Sequence, residues 1–157
     1  MMPASLTFRR CTRDDAAAVW RACFPQSAFE KIQQMLARAE AAWQAERGIG
    51  VVACLSGSIV GFGQLTFWAR VAEISDLSVT EAQRGRGIGT ALLEHLIALG
   101  AERRALIEIG VAHSNKRALA LYRRLGFRFE RTLLLNVGQG LEPIHYLTLS
   151  VSDWAER

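Results

Sequence analysis

The chain is poor in the residues that staple, break or anchor a polypeptide. It holds three cysteines and three prolines. Cys11, Cys23 and Cys54 are far apart, form no C-x-x-C pair and have no histidine at ligand spacing. A disulfide framework and a structural zinc are therefore excluded, and no metal is expected. No run of about 18 apolar residues occurs, and Met1-Met2-Pro3-Ala4-Ser5-Leu6 has neither the charged nor the apolar region of a leader, so a cytoplasmic location is expected, without membrane contact. Runs of like charge are also missing. The net charge of +4 is carried largely by arginine pairs, Arg9-Arg10, Arg103-Arg104 and Arg123-Arg124. They read as solvated surface, and nucleic acid is not an expected partner. The positive field does suit an anionic ligand.

What is present describes a compact globule, since 50% of the 157 residues are hydrophobic and 22% charged. That length holds one well-buried core and is short for two, so residues 1–157 are expected to form one domain. Monomer and homodimer both remain open.

Hydrophobic spacing predicts the elements. Leu6 to Arg10 reads as a strand, and Thr12 or Asp14 caps a helix through Ala16, Val19, Trp20 and Cys23 that Pro25 stops. Ile32, Leu36, Ala39 and Trp43 recur on one face of a second helix ending near Gly48. Val51 to Leu55, Ser56-Gly57-Ser58 and Ile59 to Phe67 predict a hairpin, with Gly61 and Gly63 hinting at a bulge. Val71 to Val79 is a further strand. A glycine-rich stretch, Gln83 to Gly89, leads into a helix on Ile88, Leu92, Leu96 and Leu99, which Gly100 should end as a left-handed cap. Leu106 to Val111 is strongly β-prone, and Ser114 or Asn115 caps a helix carrying Ala118, Leu121, Tyr122 and Leu125, closed by Gly126. Phe127 to Val137 and Leu141 to Val151, joined at Gly138-Gln139-Gly140, predict a last hairpin. The order β-α-α-β-β-β-α-β-α-β-β implies an α/β (α+β) fold, a mixed, mostly antiparallel sheet of about seven strands with four helices.

The segment Leu77-Ser78-Val79-Thr80-Glu81-Ala82-Gln83-Arg84-Gly85-Arg86-Gly87-Ile88-Gly89-Thr90 carries the chemistry. Glycines between a strand and a helix let the backbone approach a ligand closely, and the helix start offers unpaired N–H groups and a positive dipole end, so a diphosphate is the expected guest. The Walker pattern G-x-x-x-x-G-K-[ST] is absent, and Gly85, Gly87 and Gly89 give G-x-G-x-G in place of the Rossmann G-x-G-x-x-G. A nucleotide-dependent oxidoreductase is thereby disfavoured, and an ordinary turn or a coenzyme A cradle remains.

Arg84-Gly85-Arg86-Gly87-Ile88-Gly89 resembles the Q/R-x-x-G-x-G/A pattern of GNAT acetyltransferases, preceded by Leu77-Ser78-Val79 as their L-x-V strand end. Asn115 to Phe127 looks like their second hallmark, N-x-x-A-x-x-L-Y-x-x-x-G-F. The resemblance covers nearly the whole chain, with Ser5 to Glu46 least distinctive. It implies the GNAT fold, with splayed central strands forming a cleft for acetyl-CoA. Leu77, Ser78 and Val79 would hold the pantetheine arm by their main chain. The amides of Arg84, Gly85, Arg86, Gly87, Ile88, Gly89 and Thr90 would take the diphosphate, and Asn115 would touch the arm from the other side.

The implied reaction is direct acetyl transfer to a primary amine, either a small molecule, a protein N-terminus or a lysine. An alkyl ammonium must lose a proton first, and Glu73 is the candidate base, with Asp76, Glu108 and His113 as alternatives. Tyr122 is the candidate acid for the departing thiolate. In ribosomal-protein N-terminal acetyltransferases the base stands at the position of Gly110, which has no side chain here. A CoA-binding sensor or interaction module without turnover is the rival reading.

Overall fold

The computed structural model describes residues 5–138 and 140–156. Met1 to Ala4, part of the segment read above for a leader, and the turn residue Gln139 lie outside them. The elements run β1 (Leu6–Arg10), a 3-10 turn (Arg13–Asp15), α1 (Ala16–Cys23), α2 (Phe29–Gln44), β2 (Gly48–Leu55), β3 (Ser58–Phe67) and β4 (Val71–Val79). After a second 3-10 turn (Glu81–Gln83) come α3 (Ile88–Ala101), β5 (Leu106–Ala112), α4 (Lys116–Arg124), β6 (Arg128–Asn136), β7 (Leu141–Ser150) and α5 (Val151–Ala155).

Seven strands form one open sheet in the order β1-β2-β3-β4-β5-β7-β6. Every neighbouring pair is antiparallel except β4 and β5. A parallel pair needs a crossover, and α3 supplies it. Its residues Ile88, Leu92, Leu93, Leu96 and Ile97 are buried against Leu65, Ala72, Ile74 and Ile107 of the sheet. The opposite face of β2 and β3, through Val52, Cys54 and Phe62, is covered by Val19 and Cys23 of α1 and Ile32, Leu36 and Ala39 of α2.

The expected β2–β3 hairpin is present, and its turn has the two positive φ angles of a type I′ connection, 51° at Ser56 and 85° at Gly57. The expected bulge is present too. The β3–β4 register passes from Phe62↔Ser78 to Gln64↔Ser75, leaving Asp76 and Leu77 opposite Gly63 alone. Asp76 accordingly takes φ 54°.

Four local expectations are corrected. Gly100 does not cap α3, which runs on to Ala101. A Cβ at Gly100 would stand 2.7 Å from the Ile107 Cδ1 and 3.1 Å from the Ala72 Cβ, so the glycine serves the close approach of helix to sheet. Trp43 is 45% exposed rather than core, with the Arg10 guanidinium 4.9 Å above its ring. Gly48 does not end α2; Glu46, at φ 57°, makes the turn, and Gly48 already opens β2. The last strand stops at Ser150, and the five-residue α5 makes the flanking helices five instead of four.

Candidate active site

The parallel pairing of β4 with β5 extends only from Val71↔Leu106 to Ile74↔Ile109. Beyond it β4 continues to Val79 and β5 to Ala112 without facing each other in the ladder. The bulge at Asp76 and Leu77 bends β4 at the point where pairing stops, so the two strands splay as expected. The gap measures about 220 Å³, with Ser75, Leu77, Gly110, Asn115 and Tyr122 in its walls.

A larger cleft of about 580 Å³ continues from it toward the start of α3. Leu77, Ser78, Val79, Arg84, Gly85, Gly87, Gly89, Thr90 and Asn115 all line it, as does Tyr122. Leu77, Asn115 and Tyr122 belong to both spaces and mark where they meet. Arg86 and Ile88 are absent from the lining. The Arg86 side chain is exposed elsewhere, and Ile88 is 1% exposed because its side chain enters the core while its backbone starts the helix. Sequence reasoning missed Gln83, Arg117, Ala118, Ala120, Leu121 and Arg124, which also line the cleft. The helical period offered the signal, since residues 117, 120, 121 and 124 recur on one face.

The turn before α3 has the geometry of an anion cradle. Gly85 and Gly87 hold φ 80° and 81°, in the left-handed region where a side chain is strained. The first helical bond comes from the Ala91 N–H to the Gly87 carbonyl at 3.0 Å. Among the described residues, the N–H groups of Gly85 to Thr90 find no carbonyl acceptor. The turn is braced by the Thr80 N–H on the Val60 carbonyl at 2.8 Å and by Arg84 Nε on the Val79 carbonyl at 3.2 Å. Gln83 Oε1 is buried without a hydrogen-bond partner, an acceptor that a ligand's N–H or O–H would satisfy. Free amides, a helix start, arginines and an orphan acceptor fit a CoA diphosphate and its arm.

Tyr122 is 7% exposed and packs at 5.9 Å, ring to ring, on Phe127. Burial raises its phenol above the usual value of 10.0, which keeps the proton on the oxygen at neutral pH. Asn115 caps α4, its Oδ1 accepting from the Ala118 N–H at 3.1 Å. Ser78 is turned away, its Oγ donating to the Cys23 carbonyl at 3.0 Å and tying β4 to α1.

The carboxylates sit on the sheet face opposite α3. Glu73 and Glu108 are register partners on β4 and β5. Glu73 does not line either space; its Oε1 accepts from the Trp68 indole N–H at 2.8 Å. The next residue of its face along β4 is Ser75, in the wall of the gap, about 7 Å on by strand rise. Glu108 is 8% exposed and pairs with Arg131 at 3.0 Å. The Arg131 guanidinium also lies 4.5 Å over the Tyr146 ring. Burial, and then the Glu73 carboxylate, pushes the Tyr146 phenol up. A Cβ at Gly110 would meet the Tyr146 ring at 3.1 Å, so that ring fills the space into which a side chain at 110 would project. Asp76 accepts from Gln64 at 2.7 Å, and His113 Nδ1 lies 2.8 Å from His145 Nε2.

Among the described residues, no cluster of three metal-ligating side chains occurs, and no helix is long and apolar enough to cross a membrane.

Comparison with known proteins agrees with this geometry. A spermidine/spermine N-acetyltransferase from Vibrio cholerae superposes with a TM-score of 0.81 at 17% identity, over 100% of this chain and 99% of its own. A putative acetyltransferase from Salmonella typhimurium, solved with its cofactor acetyl-CoA, gives 0.75 at 19% identity over 94% of each chain. At that identity the likeness is one of fold. An uncharacterized N-acetyltransferase of Methanocaldococcus jannaschii is 40% identical over 80 residues, which are 50% of this chain and 34% of that protein. The chain thus spans about a third of that relative's length. Residues 12–127, from the 3-10 turn that precedes α1 to the phenylalanine after α4, match the acetyltransferase (GNAT) family as a whole, and the chain belongs to that family.

Proposed function

We propose that the chain is an N-acetyltransferase that moves an acetyl group from acetyl-CoA to a primary amine by direct attack, residues 1–157 acting as one unit. The observation that carries this reading is the continuity of two spaces. A cradle of unpaired amides at Gly85 to Thr90 opens into the β4–β5 gap, and a buried, protonated Tyr122 stands where the two meet.

The chain's own groups divide the work. The amides of the turn and Arg84 neutralise the diphosphate, which a helix start favours. The main chain of Leu77 and Val79, freed from β5 by the splay, holds the pantetheine arm as an added strand and sets a backbone N–H against the thioester oxygen. Asn115 closes the opposite side. The acceptor amine arrives from the carboxylate-bearing face of the sheet. Glu73, two residues from Ser75, takes its proton through an intervening water. The nitrogen lone pair forms the N–C bond, the C–S bond breaks with its electrons on sulfur, and the thiolate takes the Tyr122 proton. After attack the nitrogen sheds its second proton, which restores the tyrosine through solvent, while Glu73 returns the first to bulk water, so the cycle closes without a covalent enzyme species. Cys11, Cys23 and Cys54 are buried in the core between the sheet and the α1–α2 layer and none lines the cleft or the gap, which favours direct over ping-pong transfer.

The test is an acetyl-CoA turnover screen against a broad amine library, with mass spectrometry of the products and a thermal melt in parallel. Acetylated amine and free thiol in equal amounts support the reading. Acetyl-CoA at 100 times its dissociation constant should also stabilise the fold by about 2.7 kcal/mol. Stabilisation without thiol release across the panel would establish the sensor instead, and no stabilisation would overturn both.

A further inference from the structure

The proposed reaction leaves one buried ion unused. Glu108 is the one charged residue buried among the described residues, and its carboxylate meets Arg131 Nη1 at 3.0 Å. A buried ion pair adds little over an apolar pair of the same volume, so stability alone does not account for it. The two residues are not on adjacent strands. β7 lies between β5 and β6, and Arg131 is in register with Tyr146 of β7, which is in register with Gly110 of β5. To reach Glu108 the guanidinium crosses β7 above the Tyr146 ring, 4.5 Å from its centre. The ring leans the same way. A Cβ placed at Gly110 would stand 3.1 Å from the Tyr146 Cε1 and 3.4 Å from its Cζ, so the hydroxyl, one bond beyond Cζ, ends beside Gly110. Gly110 lines the β4–β5 gap, and Tyr146 stands just outside it, on the carboxylate-bearing face. Among the described residues no group hydrogen-bonds to that hydroxyl. Burial, and then the Glu73 carboxylate, keep its proton in place at neutral pH, so it can both donate and accept.

We infer that Tyr146 is an acceptor-binding residue whose hydroxyl oxygen takes a hydrogen bond from the incoming nitrogen at the mouth of the gap, and that Arg131, tied down by Glu108, is the positioning residue that holds the ring there. The inference rests on the proposed transfer to an amine and deepens it. An attacking nitrogen must aim its lone pair at the thioester carbon, so its N–H bonds are what remains for anchoring, and they need an acceptor beside the gap. A phenol oxygen accepts from an ammonium and from a neutral amine alike, so the nitrogen is held before and after Glu73 takes its proton. Glu73 lines neither space and its Oε1 already accepts from Trp68, which separates the anchor from the base. The same arrangement requires glycine at position 110, because a side chain there would displace the ring.

The test is steady-state kinetics of the parent, Tyr146→Phe, Arg131→Ala, Arg131→Lys and the Tyr146→Phe/Arg131→Ala double variant. The acceptor probes are n-butylamine, spermidine and a lysine-bearing peptide, taken with the best amine of the library screen, and circular dichroism melts check that each variant stays folded. Tyr146→Phe keeps the ring under Arg131 and loses only the hydroxyl. It should raise the acceptor KM about fivefold, the usual effect of one neutral hydrogen bond, with kcat within twofold and the acetyl-CoA KM unchanged. The shape of its pH–rate profile should match the parent's, since an anchor moves no proton. Arg131→Ala should raise the acceptor KM by a similar factor in the parent and less than twofold further in the Tyr146→Phe background. Arg131→Lys should recover part of the loss, because a cation returns to Glu108 and to the ring. An acceptor KM that Tyr146→Phe leaves unchanged for every amine turned over would overturn the inference and leave the acetyl-transfer reading standing. A displaced pH–rate profile would overturn the anchoring role in favour of proton transfer, and equal effects of Arg131→Ala in both backgrounds would remove Arg131 as the positioner. A parent that turns over no amine at all would overturn the functional reading itself, and this inference with it.

Discussion

Tyr122→Phe removes one oxygen and one proton from the junction of the cleft and the strand gap. Stability should hardly change, because the ring still packs on Phe127 and the lost hydroxyl is one that burial already penalises when ionised. The rate effect follows from acidities. A coenzyme thiol ionises near 8.5 and an unperturbed phenol near 10, so full transfer from Tyr122 to the thiolate runs uphill by about 2 kcal/mol, and burial increases that figure. The acid therefore helps only as the C–S bond breaks. That puts its contribution at the lower end of the usual range, about a hundredfold in kcat, or about 2.7 kcal/mol. Continuous thiol release gives kcat, and calorimetric titration gives CoA affinity, which should stay within twofold. The parent's rate should also fall at strongly alkaline pH once the phenol, which burial holds above its usual value, ionises, and the variant's should not. A variant with kcat within threefold of the parent would remove Tyr122 from the chemistry.

Glu73→Gln should cut kcat/KM at neutral pH at least tenfold, and the loss should shrink as pH approaches the acceptor's own pKa, as seen in pH–rate profiles; an unchanged profile would move the base elsewhere. Gly100→Leu forces a side chain into the α3–sheet contact and should destabilise by about 3 kcal/mol, lowering Tm by roughly 6–12 °C in a calorimetric scan. Asp15 accepts from Arg9 at 2.8 and 2.9 Å and from the Thr12 N–H at 2.8 Å, and the Arg9 bonds hold its carboxyl below the usual range. That contribution is full above about pH 4 and is lost as pH falls through the lowered folded value. Asp15→Asn should thus cost about 1 kcal/mol in urea melts at pH 7 and progressively less below pH 4. Burial pushes the Cys11 thiol up to about 11 and that of Cys23 up to about 12. Neither should react with a disulfide reagent at pH 8 until the protein is denatured, a result a thiol count under native conditions checks.

The elements with strong periodicity were legible. Leu92 and Leu96 on α3, Ile32, Leu36 and Ala39 on α2 and the turn at Ser56-Gly57 fall where spacing and turn chemistry place them. The glycine turn and the Asn115 to Phe127 segment were readable because both need particular residues at fixed offsets. What escaped was anything decided by a neighbour distant in sequence. Gly100 looks like a cap, but Ile107 and Ala72 decide that it must lack a side chain. Trp43 has the spacing of a core residue, yet its ring lies under Arg10 at the surface. Glu73 is on the expected strand, while its bond to Trp68 depends on a turn between β3 and β4 that no motif marks. Arg117 stands at an unspecified position of the second motif, and only the fold shows it lining the cleft.

The β4–β5 seam has a mechanical consequence. Only four residue pairs, Val71 to Ile74 with Leu106 to Ile109, join the two halves of the sheet directly. A pantetheine arm hydrogen-bonded between the unzipped ends would act as a rivet across that joint, stiffening both halves at once. Amide hydrogens beyond Ile74 and Ile109 would then exchange more slowly with the donor bound, while those of the outer β1–β2 ladder kept their pace.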